Sequence, residues 1–202
     1  MDKLENTMEL KPLFESSNLR LTSIDPEKDA VVESKWTHDP EYVRMFGLDI
    51  ANPKSVFEVK QQYEQIEKKI KERRDIYYFA VRQKNNDRLI GMAHLDWIEL
   101  SNGNGSLRMG IGNPEDRGKG WGHEILEMLL RFSFAELNMH RITGIVPEYN
   151  QAAKRLLTRH GFKDEVVRRK ALNRQGHRWD LLYYGLLRSE WEDLLSGAKE
   201  KE

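Results

Sequence analysis

Cysteine is absent from the 202 residues, which removes disulfide cross-links, a thiolate nucleophile and thiolate-bound zinc together. Net charge is absent as well, because 33 Lys+Arg balance 33 Asp+Glu. No global field therefore draws the chain to nucleic acid or to an anionic bilayer. No apolar run is long enough to span a membrane, and the opening Met1-Asp2-Lys3-Leu4-Glu5 has neither the basic start nor the apolar core of a signal peptide. A cytoplasmic location is the resulting expectation. Histidines at 38, 94, 123, 140, 160 and 177 include no pair at helical ligand spacing, so no metal site is expected. Periodicity is weak over residues 1–15, read as a leader, and over 196–202, read as a frayed tail.

Glycine, by contrast, is concentrated in one place. Arg117-Gly118-Lys119-Gly120-Trp121-Gly122 stands between an extended run at 109–113 and a long amphipathic segment. Three glycines in five positions let backbone N–H groups approach a bulky anion, and a helix starting there aims its free donors and positive dipole end at the same point. Arg117 and Lys119 add formal charge. A Walker A loop fails on spacing, since position 113 is Asn and Gly120 follows Gly118-Lys119. A dinucleotide fingerprint fails too, because His123 stands three residues after Gly120.

Along the chain, 19–24 alternates as a half-buried strand does. Asp25-Pro26 reads as an N-cap and first helical residue. A second helix opens at Asn52-Pro53, with Val56, Val59, Tyr63, Ile66 and Ile70 on one stripe. Three antiparallel strands are expected at 76–82, 88–100 and 106–113. A buried helix over 119–137, a strand at 141–146, a helix capped by Asn150 and a hairpin of 162–172 with 178–187 follow, before a last helix from Ser189. This order predicts a mixed sheet flanked by helices.

The pattern Arg-x-x-Gly-x-Gly at 117–122 resembles the acetyl-CoA pyrophosphate motif of the GNAT superfamily of N-acetyltransferases. Further landmarks look like the branch containing ribosomal-protein N-terminal acetyltransferases and spermidine acetyltransferases: Asn18-Leu19-Arg20-Leu21, Gly91, Asn138-Met139-His140-Arg141-Ile142, Asn150, His160-Gly161-Phe162 and Gly176-His177-Arg178-Trp179-Asp180. The likeness covers 16–195, taken as one transferase domain. It implies an α/β (α+β) fold: a mixed, mostly antiparallel sheet of about seven strands, with acetyl-CoA in a wedge where two parallel strands splay apart. It implies direct acetyl transfer to an amine without a metal, and its members are often homodimers. Met109, Ile111, Gly112, Asn113, Arg117, Gly118, Lys119, Gly120, Trp121, Gly122 and Asn150 are the implied acetyl-CoA contacts.

The proton-transfer groups are less marked. Relatives often carry Tyr seven residues after the Asn, as general acid for the leaving thiolate, and Ser three after it; Leu157 and Ala153 stand there. His94 and Asp96 share a face of the central strand and, with Asn150, are the catalytic candidates. Glu33, His38, Glu41, Trp179 and Asp180 are the candidates for the acceptor side. Seven acidic residues between 25 and 49, against three basic ones, suggest either a mouth attracting a cationic amine or a solvated face. Two other readings stay open. Leu157 and Ala153 also suit a CoA-binding sensor that turns nothing over, and Arg168-Arg169-Lys170 suits a ribosome-associated modifier, although the cluster lacks the interleaved aromatics of an RNA surface.

Overall fold

A computed structural model describes residues 12–46, 48, 50–73 and 75–199. Positions 1–11 of the expected leader, Asp49 of the acidic run and positions 200–202 of the expected tail lie outside the described residues. The elements are β1 (Leu19–Thr22), α1 (Pro26–Trp36), α2 (Pro40–Phe46), α3 (Val56–Arg73), β2 (Tyr77–Gln83), β3 (Leu89–Glu99) and β4 (Asn104–Ile111). After them come α4 (Trp121–Arg131), β5 (Arg141–Pro147), α5 (Gln151–Arg159), β6 (Lys163–Arg174), β7 (His177–Leu187) and α6 (Arg188–Lys199).

The strands form one sheet in the order β1-β2-β3-β4-β5-β7-β6. Every neighbouring pair is antiparallel except β4 and β5, as the expected fold requires. Successive strand residues face opposite sides, so Ala80, Leu89 and Met92 meet Trp36, Tyr42, Val59 and Tyr63 under α1–α3. Val81, Ile90 and Ala93 meet Ile125, Met128 and Leu129 of α4 on the other side. There the core continues through Leu95, Leu107, Leu126, Leu130, Ile142, Leu157 and Leu186.

Three local details depart from the expected elements. α3 begins at Val56, not at Asn52-Pro53, because Ser55 and Glu58 form a reciprocal capping box: Ser55 N donates to Glu58 Oε2 at 2.7 Å and Glu58 N to Ser55 Oγ at 3.2 Å. The short α2 was not anticipated; Asp39 Oδ1 accepts from Glu41 N at 2.9 Å and starts it, and seven residues are too few for a periodic signal. α6 runs to Lys199, so positions 196–199, expected to fray, are helical.

Candidate active site

β4 and β5 pair from Asn104↔Arg141 only as far as Leu107↔Gly144, yet β4 continues to Ile111 and β5 to Pro147. Beyond residues 107 and 144 the two strands separate while β4 stays paired to β3 up to Gly91↔Ile111. Gly112 N donates to Ile90 O at 2.9 Å, so even-numbered residues of this stretch turn their amides to β3. Met109 and Ile111 therefore turn theirs toward the gap. A cavity runs through the gap, lined by Leu107, Met109, Leu156 and Leu157 on the α4 side and by Met45, Phe46, Arg108 and Ile145 on the other, with Asn150 at the start of α5. Arg108 is the single ionisable residue of its lining among the described residues.

The glycine loop leads from the end of β4 into α4. Gly118 and Gly120 take φ of 76° and 85°, and a Cβ at either would meet nothing within 4 Å, so the loop is an open concave turn. Gly120 is the N-cap of α4 and offers no side-chain cap. Among the described residues no acceptor answers the N–H groups of residues 118–122. This combination of open space, free donors and a helix N-terminus fits a pyrophosphate. The two basic residues are less free than the composition suggests. Arg117 donates to Ile111 O at 3.2 Å, Gly112 O at 2.8 Å and Asp39 Oδ2 at 2.7 Å, and also pairs with Glu41 at 3.2 Å. It holds the end of β4 to α2. Lys119 reaches Asp116 at 3.2 Å and lies 5.0 Å from the centre of the Trp121 ring. Asn113 accepts from Trp36 Nε1 at 3.1 Å, which fixes the turn to α1.

Asn150 both caps α5, accepting from Ala153 N at 3.0 Å, and lines the cavity. Leu157, at the position where relatives often have Tyr, is 4% exposed and packs where a Cβ on Gly144 would lie only 2.8 Å away. The parting of β4 and β5 and the start of α5 thus meet over an aliphatic contact.

His94 and Asp96 do share a face, on the side covered by α1–α3. His94 pairs across the sheet with Tyr78 and Arg108, and Asp96 with Ser106. The His94 ring stacks on Phe46, 5.5 Å between centres, and meets Tyr78 edge-on at 4.9 Å. Burial, helped by the nearby Arg108 cation, pushes its pKa down to about 3, so the ring is neutral throughout the physiological range. Burial raises the Asp96 carboxyl, opposed by the Arg108 guanidinium 3.6 Å away. Among the described residues, both ring nitrogens of His94, Asp96 Oδ1, Ser106 Oγ and Arg108 Nε are buried without a hydrogen-bond partner. Such groups are rare inside proteins and gather where a ligand supplies the missing partner. Neither Ser106 nor Arg108 was picked out from the sequence. The signal was available only through register, since both fall on alternate positions of the strand that pairs with β3.

The other acceptor-side candidates lie elsewhere. Glu33 lies on α1, accepting from Tyr42 of α2 at 3.2 Å and from Tyr63 of α3, and burial raises its carboxyl. His38 is exposed and touches none of these groups. Trp179 meets Tyr149 edge-on at 5.4 Å, while Asp180 accepts from Lys170 N at 2.8 Å and pins the β6–β7 hairpin. The suggested acidic mouth does not form from its described members. Asp25 pairs with Lys28, Glu27 with Lys60, Asp29 with Arg82, and Asp39 and Glu41 with Arg117, besides Glu33 with its two tyrosines. Among the described residues no group of three or more His, Asp or Glu converges on a metal position, and no helix is long and apolar enough to cross a membrane.

Residues 18–163 match the family model for the acetyltransferase (GNAT) domain. The chain is 30% identical over 177 residues to the SPbeta prophage-derived uncharacterized N-acetyltransferase YokL of Bacillus subtilis (strain 168), covering 87% of this chain and 93% of that one. It is 31% identical over 104 residues to the putative ribosomal N-acetyltransferase YdaF of the same organism, covering 52% and 56%. Its fold matches that of spermidine N-acetyltransferase from Vibrio cholerae, solved in complex with CoA and spermine, with a TM-score of 0.77 at 21% identity over 88% of this chain and 99% of that one. Family model, relatives and sheet topology agree: this chain belongs to the GNAT family of N-acetyltransferases.

Proposed function

We propose that the chain uses acetyl-CoA to acetylate a primary amine, with residues 16–195 as the transferase domain of a cytoplasmic enzyme. The observation that carries this reading is the gap between β4 and β5, opening beside an uncapped α4 whose preceding loop has free amides. When bound, acetyl-CoA supplies an activated acetyl thioester. The amides of 118–122 hold its pyrophosphate, with Lys119 within reach. Met109 and Ile111 direct backbone donors at the acyl carbonyl and stabilise the negative charge that develops on it. Asn150 orients the pantetheine end while its side-chain oxygen caps α5.

Of the two candidate bases Asp96 is the better. A carboxyl raised by burial is a stronger proton acceptor than an ordinary one, whereas His94 at about 3 is a poor one. Asp96 takes the proton of the incoming ammonium, which frees the nitrogen lone pair for the acetyl carbon. Leu157 brings no hydroxyl, so no side chain at that position protonates the departing sulfur.

Calorimetric titration with CoA, beside thiol release from acetyl-CoA over an amine panel, tests the reading. Gly120→Val puts a β-branched side chain at φ 85° and into the open turn. We expect it to weaken CoA binding by at least about 100-fold, roughly two or more lost amide–phosphate contacts. Unchanged affinity would overturn the cofactor assignment. The aliphatic Leu157–Gly144 contact also suits a sensor that binds CoA without turnover, and binding with no thiol release on any amine would select that reading.

A further inference from the structure

Arg108 lines the cavity, and Asp96, on the neighbouring strand and outside that lining, lies directly beside it. Asp96 Oδ2 and an Arg108 Nη lie 3.6 Å apart, too far for a hydrogen bond; the neighbouring Ser106 hydroxyl lowers the Asp96 carboxyl, but among the described residues Asp96 Oδ1 and Arg108 Nε are buried with no hydrogen-bond partner. Arg108 donates no hydrogen bond within the described residues. A guanidinium that donates no hydrogen bond among the described residues, and that is the one ionisable group of the cavity's described lining, keeps donors free for a ligand carboxylate beside its loose pairing with Asp96. Trp97 stands at its flank. This residue takes φ 51° at an irregularity in β3, is 64% exposed, and has its ring centre 6.0 Å from the guanidinium carbon. Left-handed backbone at a large aromatic is the kind of strain that gathers at ligand sites.

Charge balance narrows the acceptor further. Asp96 and Arg108 cancel one another, so a ligand of one sign leaves an uncompensated charge in a partly buried place. A polyamine drawn to Asp96 would bring like charge against Arg108, and the acids that could have offset this are paired off elsewhere. A ligand with an ammonium and a carboxylate on the same carbon engages both side chains at once. We infer that the amine acceptor is an α-amino acid, its carboxylate held by Arg108 and its ammonium by Asp96. This rests on the proposed transferase reading and adds the substrate class. The step balances: the ammonium first gives one proton to Asp96, the freed amino nitrogen bonds to the acetyl carbon, the carbon–sulfur bond breaks with its electron pair leaving on sulfur, and the second proton lost by the nitrogen ends on that sulfur as the CoA thiol.

The test compares free amino acids with their carboxamides, and with spermidine, in thiol release by the full chain. The expected result is a preference in kcat/KM of at least about 10-fold for the carboxylate over the matched carboxamide, the range for losing one charge-assisted hydrogen bond. Arg108→Gln should bring the two within about 2-fold, and Arg108→Lys should keep part of the preference. In parallel, the CoA-loaded protein is titrated with an N-acetyl amino acid and with its amide. Heat from the carboxylate alone, lost in Arg108→Gln, supports the inference even where turnover is slow. Equal or better turnover of carboxamide or spermidine overturns it, as does carboxylate binding untouched by Arg108→Gln or no binding of either compound. If the protein binds no CoA at all, the transferase reading itself falls; CoA binding without carboxylate preference sinks the substrate class alone.

Discussion

Two clusters of buried polar groups lie on the same face of the sheet and differ in a single respect. Under α1 and α3, both Glu33 oxygens accept from tyrosine hydroxyls, and Arg82 clasps Asp29 with both oxygens at 2.7 and 2.8 Å. Where β4 and β5 part, His94, Asp96, Ser106 and Arg108 leave five buried polar atoms unanswered. Answered groups cost little to bury and rigidify the layer they join; unanswered ones cost stability and persist where something else repays them. Chemical residue type does not separate the two sets, since each holds a carboxylate and each has a guanidinium within reach. Satisfaction does. Glu33, an acceptor-side candidate from the sequence, has both oxygens engaged by tyrosines, whereas Arg108, which the sequence left unmarked, keeps donors free.

Exchanging one member of each cluster should give opposite patterns. Asp96→Asn removes the proposed base and should lower kcat/KM by about 10²- to 10⁴-fold. The urea midpoint should move little, because burial already disfavours the carboxylate that is lost. Full activity in this variant would send the search for the base elsewhere. Tyr63→Phe should do the reverse. Tyr63 is 1% exposed and its hydroxyl is spent on Glu33, so the change strands a buried carboxylate oxygen at a cost of about 1–3 kcal/mol, read as a lower urea midpoint. Turnover by the folded fraction should stay within about 2-fold. A collapse of turnover at unchanged stability would return Glu33 to the acceptor site.

These clusters also mark how far the sequence could be read. The glycine loop was legible because everything it does is local: 117–122 are consecutive, and the free amides follow from glycine and a helix start. The sheet was legible because apolar alternation and turn chemistry set most strand limits, and the resemblance supplied the splayed pair. Ser55-Val56-Phe57-Glu58 held a capping-box signal that a Pro-based start at Asn52 overrode. The juxtaposition of Asp96 with Arg108 was out of reach, because it depends on register across residues 100–103 and on an irregularity between Asp96 and Glu99. The acidic run left two readings open for the same kind of reason. Counting charges cannot show that Asp39 and Glu41 are taken by an arginine more than 70 residues on, or that Asp29 is clasped from β2.

The smallest effect follows from His94 alone, a member of the unanswered cluster. Its folded pKa of about 3 lies below the unfolded value of 6.5, so the folded state resists a proton that the unfolded chain accepts. Between those values the unfolded chain binds more protons, and stability must rise with pH. The stabilisation is complete above pH 6.5 and drains away as pH falls below it. From pH 8 to pH 6 the loss should be about 1 kcal/mol, since the unfolded imidazole becomes mostly protonated over that span while the folded ring stays neutral. His94→Phe keeps the aromatic contacts with Phe46 and Tyr78 and has nothing to protonate. Urea midpoints of the two proteins at pH 8 and pH 6 isolate the effect, because every other titrating group is common to both. If the difference between them does not change with pH, the ring is either solvated or partnered, and the cluster is not the unanswered set that separates it from Glu33 and its tyrosines.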